Sequence, residues 1–408
     1  KIYEPRLMKL LRVQHFRLAP VAPKDPPWAA TKQVPRVYLE GRRFPQWQQC
    51  PRCHAIGPAP HWKSHPGDPS LTCPSHHNEQ VPCVPVRFVT TCRNGHLDEF
   101  PWSWWVHGDA QCSNPRFTLD SEGGTGLAAL VLKCAGCGKQ RTMDNALSKG
   151  SFQGRRCRGK RPWLDDQEDC NEPPIAVQRG ASNLYFSRSF SSLDIPPWSD
   201  PIMKTLGANW QVIARAAADV RPVLLQALDA VHHYTTRLGM TAEQILDTIA
   251  TRSRILEESD PDSLRHEEHQ RLLEPTQPAG PGHEFETRVH PLPERLRPFV
   301  ESLVEVRKLR EVRAITGFTR VSPPGPDDGG GQGTIAPLAR KDLGWLPAVE
   351  IRGEGIFLEL DKKRITAWQA VHNQELQKLI HSMQHRHERA WADAGREGAP
   401  PEHPLNPT

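Results

Sequence analysis

The sequence lacks the signatures of several large classes of protein. No run of roughly eighteen apolar residues occurs, so we expect no membrane-spanning helix, and no secretory hydrophobic segment is visible. The chain also lacks a phosphate-binding G-x4-G-K-S/T loop, a G-x-S-x-G nucleophile elbow and an H-E-x-x-H zinc helix. We therefore expect that it does not hydrolyse ATP by itself.

Cysteine is scarce, with 10 residues in 408. A secreted disulfide scaffold has a far higher density, so we expect a reduced, cytoplasmic compartment. The net charge of +5 is mildly basic, which permits a local nucleic-acid-binding patch without requiring one. Proline is abundant at 40 residues, which indicates much loop or extended chain.

The cysteines that are present form two sets with the same spacing. In each set a Cys-x2-Cys pair is followed, after nineteen residues, by a third cysteine. This pattern is typical of a tetrahedral zinc site whose second ligand pair arrives from a later segment. We therefore predict two structural zinc ions, bound by Cys50, Cys53, Cys73 and His76, and by Cys134, Cys137, Cys157 and Cys170.

The fourth ligand of the first site is open at this stage. His76 is preferred because Cys73-x2-His76 repeats the spacing of a Cys-x2-Cys turn. The alternatives are His54, His77 and Cys83.

A further set of possible ligands remains unassigned, namely Cys92, His96 and Cys112. These residues either pack around the turn at Gly95 or bind a catalytic zinc with Asp98 or Glu99 as the base.

Two basic stretches are candidates for contact with a nucleic-acid backbone, although a solvated surface explains either of them equally well. The first surrounds Cys157, and the second lies on a predicted amphipathic helix, Leu296–Ile315. The candidate residues are Arg155, Arg156, Arg158, Lys160 and Arg161 in the first stretch, and Arg307, Lys308, Arg310 and Arg313 in the second.

The pattern along the chain predicts an α+β protein. A zinc-knuckle and short-strand N-terminal half should precede a helical region and a small α/β end segment. The predicted parts are an extended Pro-rich arm (1–35), a Cys- and Trp-rich zinc-binding domain (36–200), a helical domain (201–320), a flexible loop (321–338), a strand-helix segment (339–394) and a disordered tail (395–408).

An ordered series of short motifs between about residues 36 and 370 resembles one protein family. The motifs are Cys50-Pro-Arg-Cys53, Pro85-Val-Arg-Phe-Val89, Cys92-x2-Gly-His96 with Asp98-Glu-Phe-Pro-Trp102 and Trp105-Val-His107, Cys134-x2-Cys137-Gly138, Gly159-Lys-Arg-Pro-Trp163, Gln178-Arg-Gly-Ala-Ser-Asn183, Arg310-Glu-Val-Arg313 with Gly317-Phe-Thr-Arg320, and Glu350-x2-Gly-Glu-Gly-Ile-Phe357. The series resembles DrmB, a family of subunits of the bacterial anti-phage system DISARM.

The resemblance implies a partner and a role. DrmB-type subunits form a DNA-binding complex with DrmA, a superfamily-2 helicase, so we expect a non-catalytic, zinc-stabilised brace for that motor. The alternative is a zinc-dependent hydrolase or nuclease at Cys92, His96 and Cys112. One departure from the family is His76, where members often carry a cysteine.

Overall fold

The computed structural model describes residues 1–19, 41–66, 68–76, 79–121, 123–148, 150–207, 209–216, 220–230, 232–260, 263–276, 282–321, 323 and 335–393. Helices and open sheets are both present, which confirms the α+β class. The helices are α1 (Pro5–Leu10), α2 (Trp102–His107), α3 (Pro201–Leu206), α4 (Asn209–Ala216), α5 (Arg221–Ala230), α6 (His232–Leu238), α7 (Ala242–Glu258), α8 (Leu264–Leu273) and α9 (Lys362–Asp393).

Most of the strands have eight residues or fewer, and the two long ones, β17 (Val300–Thr319) and β19 (Trp345–Leu360), lie near the end of the chain. They are β1 (His15–Arg17), β2 (Trp47–Gln49), β3 (Ala55–Pro58), β4 (Lys63–His65), β5 (Asp68–Thr72), β6 (Val84–Pro85), β7 (Phe88–Thr91), β8 (Leu97–Glu99), β9 (Phe117–Ser121), β10 (Leu130–Cys134), β11 (Gln140–Thr142), β12 (Lys160–Arg161), β13 (Asp166–Gln167), β14 (Ile175–Gln178), β15 (Phe186–Leu193), β16 (Glu286–His290), β17 (Val300–Thr319), β18 (Ala336–Pro337) and β19 (Trp345–Leu360).

The chain divides into two compact units, and each is assembled from three separate segments. The first, which we call the sheet-helix unit, comprises Lys1–Leu39, Ser189–Thr316 and Lys341–Ser382. The second, the cysteine-rich unit, comprises Glu40–Arg188, Gly317–Arg340 and Met383–Thr408.

The sheet-helix unit combines a sheet with a set of helices. The sheet has the order β1-β19-β17-β15, in which β19 runs antiparallel to β17 and β1 runs parallel to β19. Phe16, Leu7 and Val312 are fully buried in one core on this sheet, and Ile245 and Ile249 of α7 are fully buried in a helical core.

Helix α7 begins as the sequence predicts. Thr241 accepts a hydrogen bond from the backbone N–H of Gln244, and the Gln244 side chain accepts one from the N–H of Thr241. This reciprocal capping box satisfies two donors that the first helical turn leaves without partners. The predicted final helix is also confirmed as α9.

The predicted helix Leu296–Ile315 is wrong, because Val300–Thr319 forms the strand β17. Its buried side chains alternate, at Val304 and Val306 and again at Val312 and Ala314. The pairing with β19 shifts register between Val306 and Leu309. The even positions between Val306 and Val312 carry Lys308 and Arg310, and these charged residues interrupt the apolar alternation that marks a strand. The strand β19 is continuous through Gly353, whereas the sequence of Leu346–Leu360 predicts two short strands around Gly353-Glu-Gly355.

The cysteine-rich unit contains short strands around an aromatic core. One sheet has the order β11-β10-β9-β3-β2-β6 and another the order β14-β7-β8. Phe100, Trp102 and Trp105 are almost fully buried at the start of α2, where they pack against Phe88 and Phe152. In a unit with so little regular structure, these rings supply much of the apolar area that burial removes from water.

The ends of the chain differ from expectation in part. The predicted extended arm contains α1 and β1 within its described residues. Most of the predicted loop 321–338 and all of the predicted tail 395–408 lie outside the described residues. Among the helices that the structure describes, none is both long and apolar enough to span a membrane.

Candidate metal centres

The cysteine-rich unit gathers twelve Cys and His side chains into three groups of four. Each group contains three thiols and one imidazole, and the ligand atoms of a group all lie within 4.8 Å of one another. Nine of the ten cysteines are used in this way. Centre 1 is Cys50, Cys53, Cys73 and His76; centre 2 is His107, Cys112, Cys134 and Cys137; centre 3 is Cys92, His96, Cys157 and Cys170.

Centre 1 has the composition that the sequence predicts. Cys50 follows β2 and Cys53 lies in the turn before β3, where the backbone N–H of Cys50 donates to the carbonyl of Ala55. Cys73 directly follows β5. The Cys50 Sγ and His76 Nε2 atoms are 3.5 Å apart, and the Cys53 and Cys73 Sγ atoms are 3.7 Å apart.

The alternative fourth ligands of centre 1 do not join the group within the described residues. His54 is half exposed and faces Asp120, while His77 lies outside the described residues. Cys83 is buried nearby, and burial together with the neighbouring thiolates raises its pKa to about 12. Its sulfur is not among the four donor atoms that lie within 4.8 Å of one another.

Centre 2 joins the end of helix α2 to the turn between β10 and β11. The Cys137 Sγ lies 3.3 Å from the His107 Nε2, and the Cys112 and Cys134 Sγ atoms are 3.9 Å apart. The His107 Nδ1 lies 2.8 Å from the carbonyl oxygen of Ser103. A proton on Nδ1 donates to that oxygen and leaves Nε2 as the free lone pair that a metal requires.

The turn at centre 2 leaves no space for a side chain at Gly136. A Cβ at this position would lie 1.9 Å from the carbonyl oxygen of Asn114. The close approach brings the Cys134–Cys137 turn against the segment that carries Cys112. A glycine here is therefore part of how the four ligands meet.

Centre 3 joins two distant hairpins. The Cys92 Sγ lies 3.3 Å from the His96 Nδ1 and 4.0 Å from the Cys170 Sγ. The backbone N–H of Gly159 donates to the Cys157 Sγ at 3.3 Å. The chain enters this centre at the β7–β8 turn and returns to it more than sixty residues later, on either side of the β12–β13 hairpin.

A carboxylate orients the imidazole of centre 3. The Glu168 Oε1 lies 2.7 Å from the His96 Nε2, and the Glu168 Oε2 lies 3.0 Å from an Arg161 guanidinium nitrogen. Arg161 is also paired with Asp166 at 2.8 Å. A carboxylate on the distal nitrogen fixes the tautomer that presents Nδ1 to the centre, as in many carboxylate–histidine–metal sites.

Each centre contains one cysteine whose thiolate form is favoured. In centre 3 the hydrogen bond with Cys92 is the largest cause that lowers the pKa of Cys157, to about 4. In centre 2 the pKa of Cys134 is lowered to about 6: burial opposes the shift, and backbone hydrogen bonds from Arg116, Cys137 and Gly136 outweigh it. The pKa of Cys50 is also lowered, against burial, by backbone N–H groups. The thiolate is the form that binds metal.

The predicted grouping of the second zinc site is wrong. Cys134 and Cys137 belong to centre 2, whereas Cys157 and Cys170 belong to centre 3. In the sequence the two sets are nested: all ligands of centre 2 lie between the first two and the last two ligands of centre 3. The nineteen-residue spacing from Cys137 to Cys157 therefore does not mean that these two cysteines bind the same ion. Sequence reasoning missed His107 as a ligand, although the motif Trp105-Val-His107 contains it.

The predicted catalytic set is also divided. Cys112 lies in centre 2, so Cys92 and His96 share their centre with Cys157 and Cys170 instead. The two candidate bases are engaged elsewhere: Asp98 pairs with Arg158, and the Glu99 carboxylate accepts from the backbone N–H of Gln46.

The donor sets fit a tetrahedral ion such as zinc. Bonds of about 2.3 Å to sulfur and about 2.0–2.1 Å to nitrogen place the donors of a tetrahedron about 3.6–3.8 Å apart. The donor–donor distances quoted above for the three centres run from 3.3 to 4.0 Å. All ten cysteines are free thiols. With four protein donors each, the centres leave no open position for a reacting water.

The first basic stretch lies beside centre 3 and is partly neutralised. Arg158 and Lys160 both face Asp98, at 2.6 and 3.8 Å. Arg155 lies 5.0 Å from the Trp104 ring, and Arg156 donates to the side chain of Asn171. Arg161 belongs to the carboxylate network of His96.

The second basic stretch lies on a strand and not on a helix. Arg310 is buried between Asp194 and Glu350, which excludes it from contact with a phosphate. The other three residues of this stretch are ion-paired: Arg307 and Lys308 with Glu286, and Arg313 with Glu311.

The fold and the three closed ligand sets define a class: an α+β protein whose strand-and-turn unit contains three candidate structural metal centres. A family model described as a domain of unknown function (DUF8724) matches residues 1–186, which include all twelve ligands. The chain is 28% identical over 396 residues to the DISARM protein DrmB of Bacillus paralicheniformis. The alignment covers 93% of this chain and 66% of that protein, just under two thirds of its length. The resemblance to DrmB predicted from the ordered motifs is confirmed.

Proposed function

We propose that this chain is a non-catalytic, zinc-stabilised subunit of an anti-phage defence complex of the DISARM type. In that complex it acts in the cytoplasm and braces a superfamily-2 helicase of the DrmA type. It also adds contacts to DNA. The observation that carries the proposal is the set of three closed Cys3His centres in a chain that aligns with DrmB along 93% of its length.

Zinc is the ion that these donors favour. Soft thiolates combined with one imidazole at tetrahedral spacing select zinc over magnesium, calcium or manganese, which prefer oxygen ligands. When bound, the ions would cross-link strands and turns that carry little regular structure. Binding free energy in such sites is also folding free energy, so the chain would obtain a rigid platform from them.

The contribution to DNA binding is assigned to the arginines beside centre 3. Arg155 and Arg156 have no carboxylate partner among the described residues, and the turn that carries them ends at the ligand Cys157. A turn anchored at a metal centre presents its charges at fixed positions, which suits contact with a phosphate backbone.

The test is a co-purification with a DrmA-type helicase subunit, followed by measurement of DNA binding by the complex as a function of salt concentration. Arg155→Gln with Arg156→Gln should lower the slope of log K against log salt by up to about 2, because each lost phosphate contact removes about 0.9. The control is Arg254→Gln with Arg295→Gln. Both arginines are exposed, and their substitution removes the same amount of positive charge elsewhere on the chain.

Two results would contradict the proposal at different levels. If the helicase does not co-purify with the wild-type chain, the role as its brace is wrong. If the complex forms but both double variants change the salt slope equally, the DNA contact is not at Arg155 and Arg156.

A further inference from the structure

Arg320 of the cysteine-rich unit differs from three buried arginines of the sheet-helix unit in how its charge is balanced. Arg6, Arg252 and Arg310 are 4%, 6% and 8% exposed, and each is paired with a carboxylate. Arg320 is 1% exposed, and the described part of the chain places no carboxylate within ion-pair distance of it. A buried charge without a counter-charge is costly, so a different negative group must balance it.

The contacts of Arg320 hold its guanidinium in one place. Nε donates to the carbonyl oxygen of Gly95 at 2.8 Å, and a terminal nitrogen donates to the carbonyl oxygen of Leu184 at 2.6 Å. The guanidinium carbon lies 4.9 Å from the centroid of the Trp163 ring and 4.6 Å from that of Tyr185. Ring faces attract cations, which adds to the two hydrogen bonds.

These contacts lead directly to centre 3. Gly95 lies in the turn between Cys92 and His96, and its backbone N–H donates to the carbonyl of Cys92 at 3.2 Å. Its φ of 78° is in the left-handed region, where glycine is favoured. Arg320 therefore binds the backbone carbonyl of Gly95, which lies in the turn that carries the ligands Cys92 and His96.

The charge of centre 3 supplies the missing counter-charge. Three thiolates and a neutral imidazole around a divalent ion carry a net charge of −1 by simple addition. Burial lowers the pKa of Arg320; the Tyr185 side chain opposes this shift most, and the charge of Cys92 opposes it to a smaller extent.

We propose that Arg320 is the counter-charge and the clamp of centre 3, a positioning residue that acts through the Cys92–His96 turn. The inference rests on the metal loading in the proposed function. Arg320 directly follows β17, and Trp163 donates to the carbonyl of Pro337 at 2.8 Å. Metal loading of centre 3 is therefore coupled to the attachment of residues 317–321 and 335–340 within the cysteine-rich unit.

The experiment compares the full chain, loaded with zinc, with Arg320→Gln and Arg320→Lys. Zinc release to a chromogenic chelator should be roughly 10- to 100-fold faster for one of the three equivalents in Arg320→Gln, the range seen when partners around metal ligands are removed. Arg320→Lys keeps the charge and loses the forked contact, so its release rate should lie between those of wild type and Arg320→Gln.

The matched control is Arg252→Gln, which removes a buried, ion-paired arginine of the sheet-helix unit. It should lower the melting temperature and leave all three release rates unchanged. Wild-type release rates in Arg320→Gln would overturn the inference while leaving the proposed function intact. A wild-type chain that holds no zinc would overturn both.

A second measurement needs no variant. Hydrogen exchange of the wild-type chain, before and after chelation, should show that residues 92–96 and residues 317–321 lose protection together. Loss confined to the ligand turn would contradict the coupling, since the clamp then holds without the metal.

Discussion

The grouping of ligands into three centres can be tested by counting ions in two single variants and their double variant. The substitutions are Cys134→Ser in centre 2 and Cys157→Ser in centre 3. The two centres share no ligand, so each substitution disables one of them, and additivity is expected for independent sites. From three centres we expect three ions in the wild type, two in each single variant and one in the double variant.

The grouping by equal spacing makes a different prediction, because both cysteines would then bind the same ion. The double variant would lose no more zinc than either single variant loses. Native mass spectrometry of the purified chain, checked by elemental analysis, separates the outcomes by one zinc per molecule. Cys83→Ser is the matched control and should retain three ions, because Cys83 lies outside every group. A double variant that binds as much zinc as either single variant would refute the nested arrangement.

Two further perturbations address the surroundings of the centres, and a third addresses Glu4, a buried carboxylic acid at the start of helix α1 in the sheet-helix unit. Gly159→Ala should abolish zinc binding at centre 3, because the new Cβ would lie 1.6 Å from the carbonyl oxygen of Glu168. The control is Gly154→Ala, which is also at positive φ but has open space around it. It should lower the free energy of unfolding by only about 1 kcal/mol in a denaturation titration. Glu168→Gln should weaken zinc at centre 3 by roughly 10- to 100-fold in a chelator competition, since it alters the partner of His96; equal affinity would contradict the orienting role. Glu4 is fully buried, and burial raises its pKa to about 7. Its folded state therefore binds a proton more tightly than the unfolded state, and stability should fall as the pH rises from about 4.5 to 7; Glu4→Gln should flatten that part of the denaturation-midpoint profile, and an unchanged profile would refute the assignment.

Local features of the fold could be predicted from the sequence because they depend on neighbouring residues. The capping box of Thr241 and Gln244 involves one turn of chain. The four ligands of centre 1 lie within one stretch of 27 residues, from Cys50 to His76, so their spacing reports their site.

The other two centres could not be assigned in this way because their ligands are nested. The turn at Cys134 meets the end of helix α2, and the turn at Cys92 meets the hairpin that follows Cys157. Only tertiary contacts decide which pairs combine. One available signal was a count of donors. Cys92, His96, Cys112 and His107 raise the eight assigned ligands to twelve, the number that three tetrahedral centres need, but the count does not say which residues share a centre.

The strand β17 was missed for a different reason. Valines recur at even positions in its first half and again at Val312, but the even positions between them carry Lys308 and Arg310, which breaks the apolar alternation. Charged residues between them then resemble the polar face of a helix. The choice between strand and helix was decided by pairing with β19, which is distant in sequence.

X-ray absorption spectroscopy at the zinc edge, on the purified full chain, tests the central claim most directly. Three Cys3His centres predict an average shell of three sulfur atoms at about 2.3 Å and one nitrogen atom at about 2.0–2.1 Å. A shell rich in oxygen, or a folded chain that contains no zinc, would contradict the account.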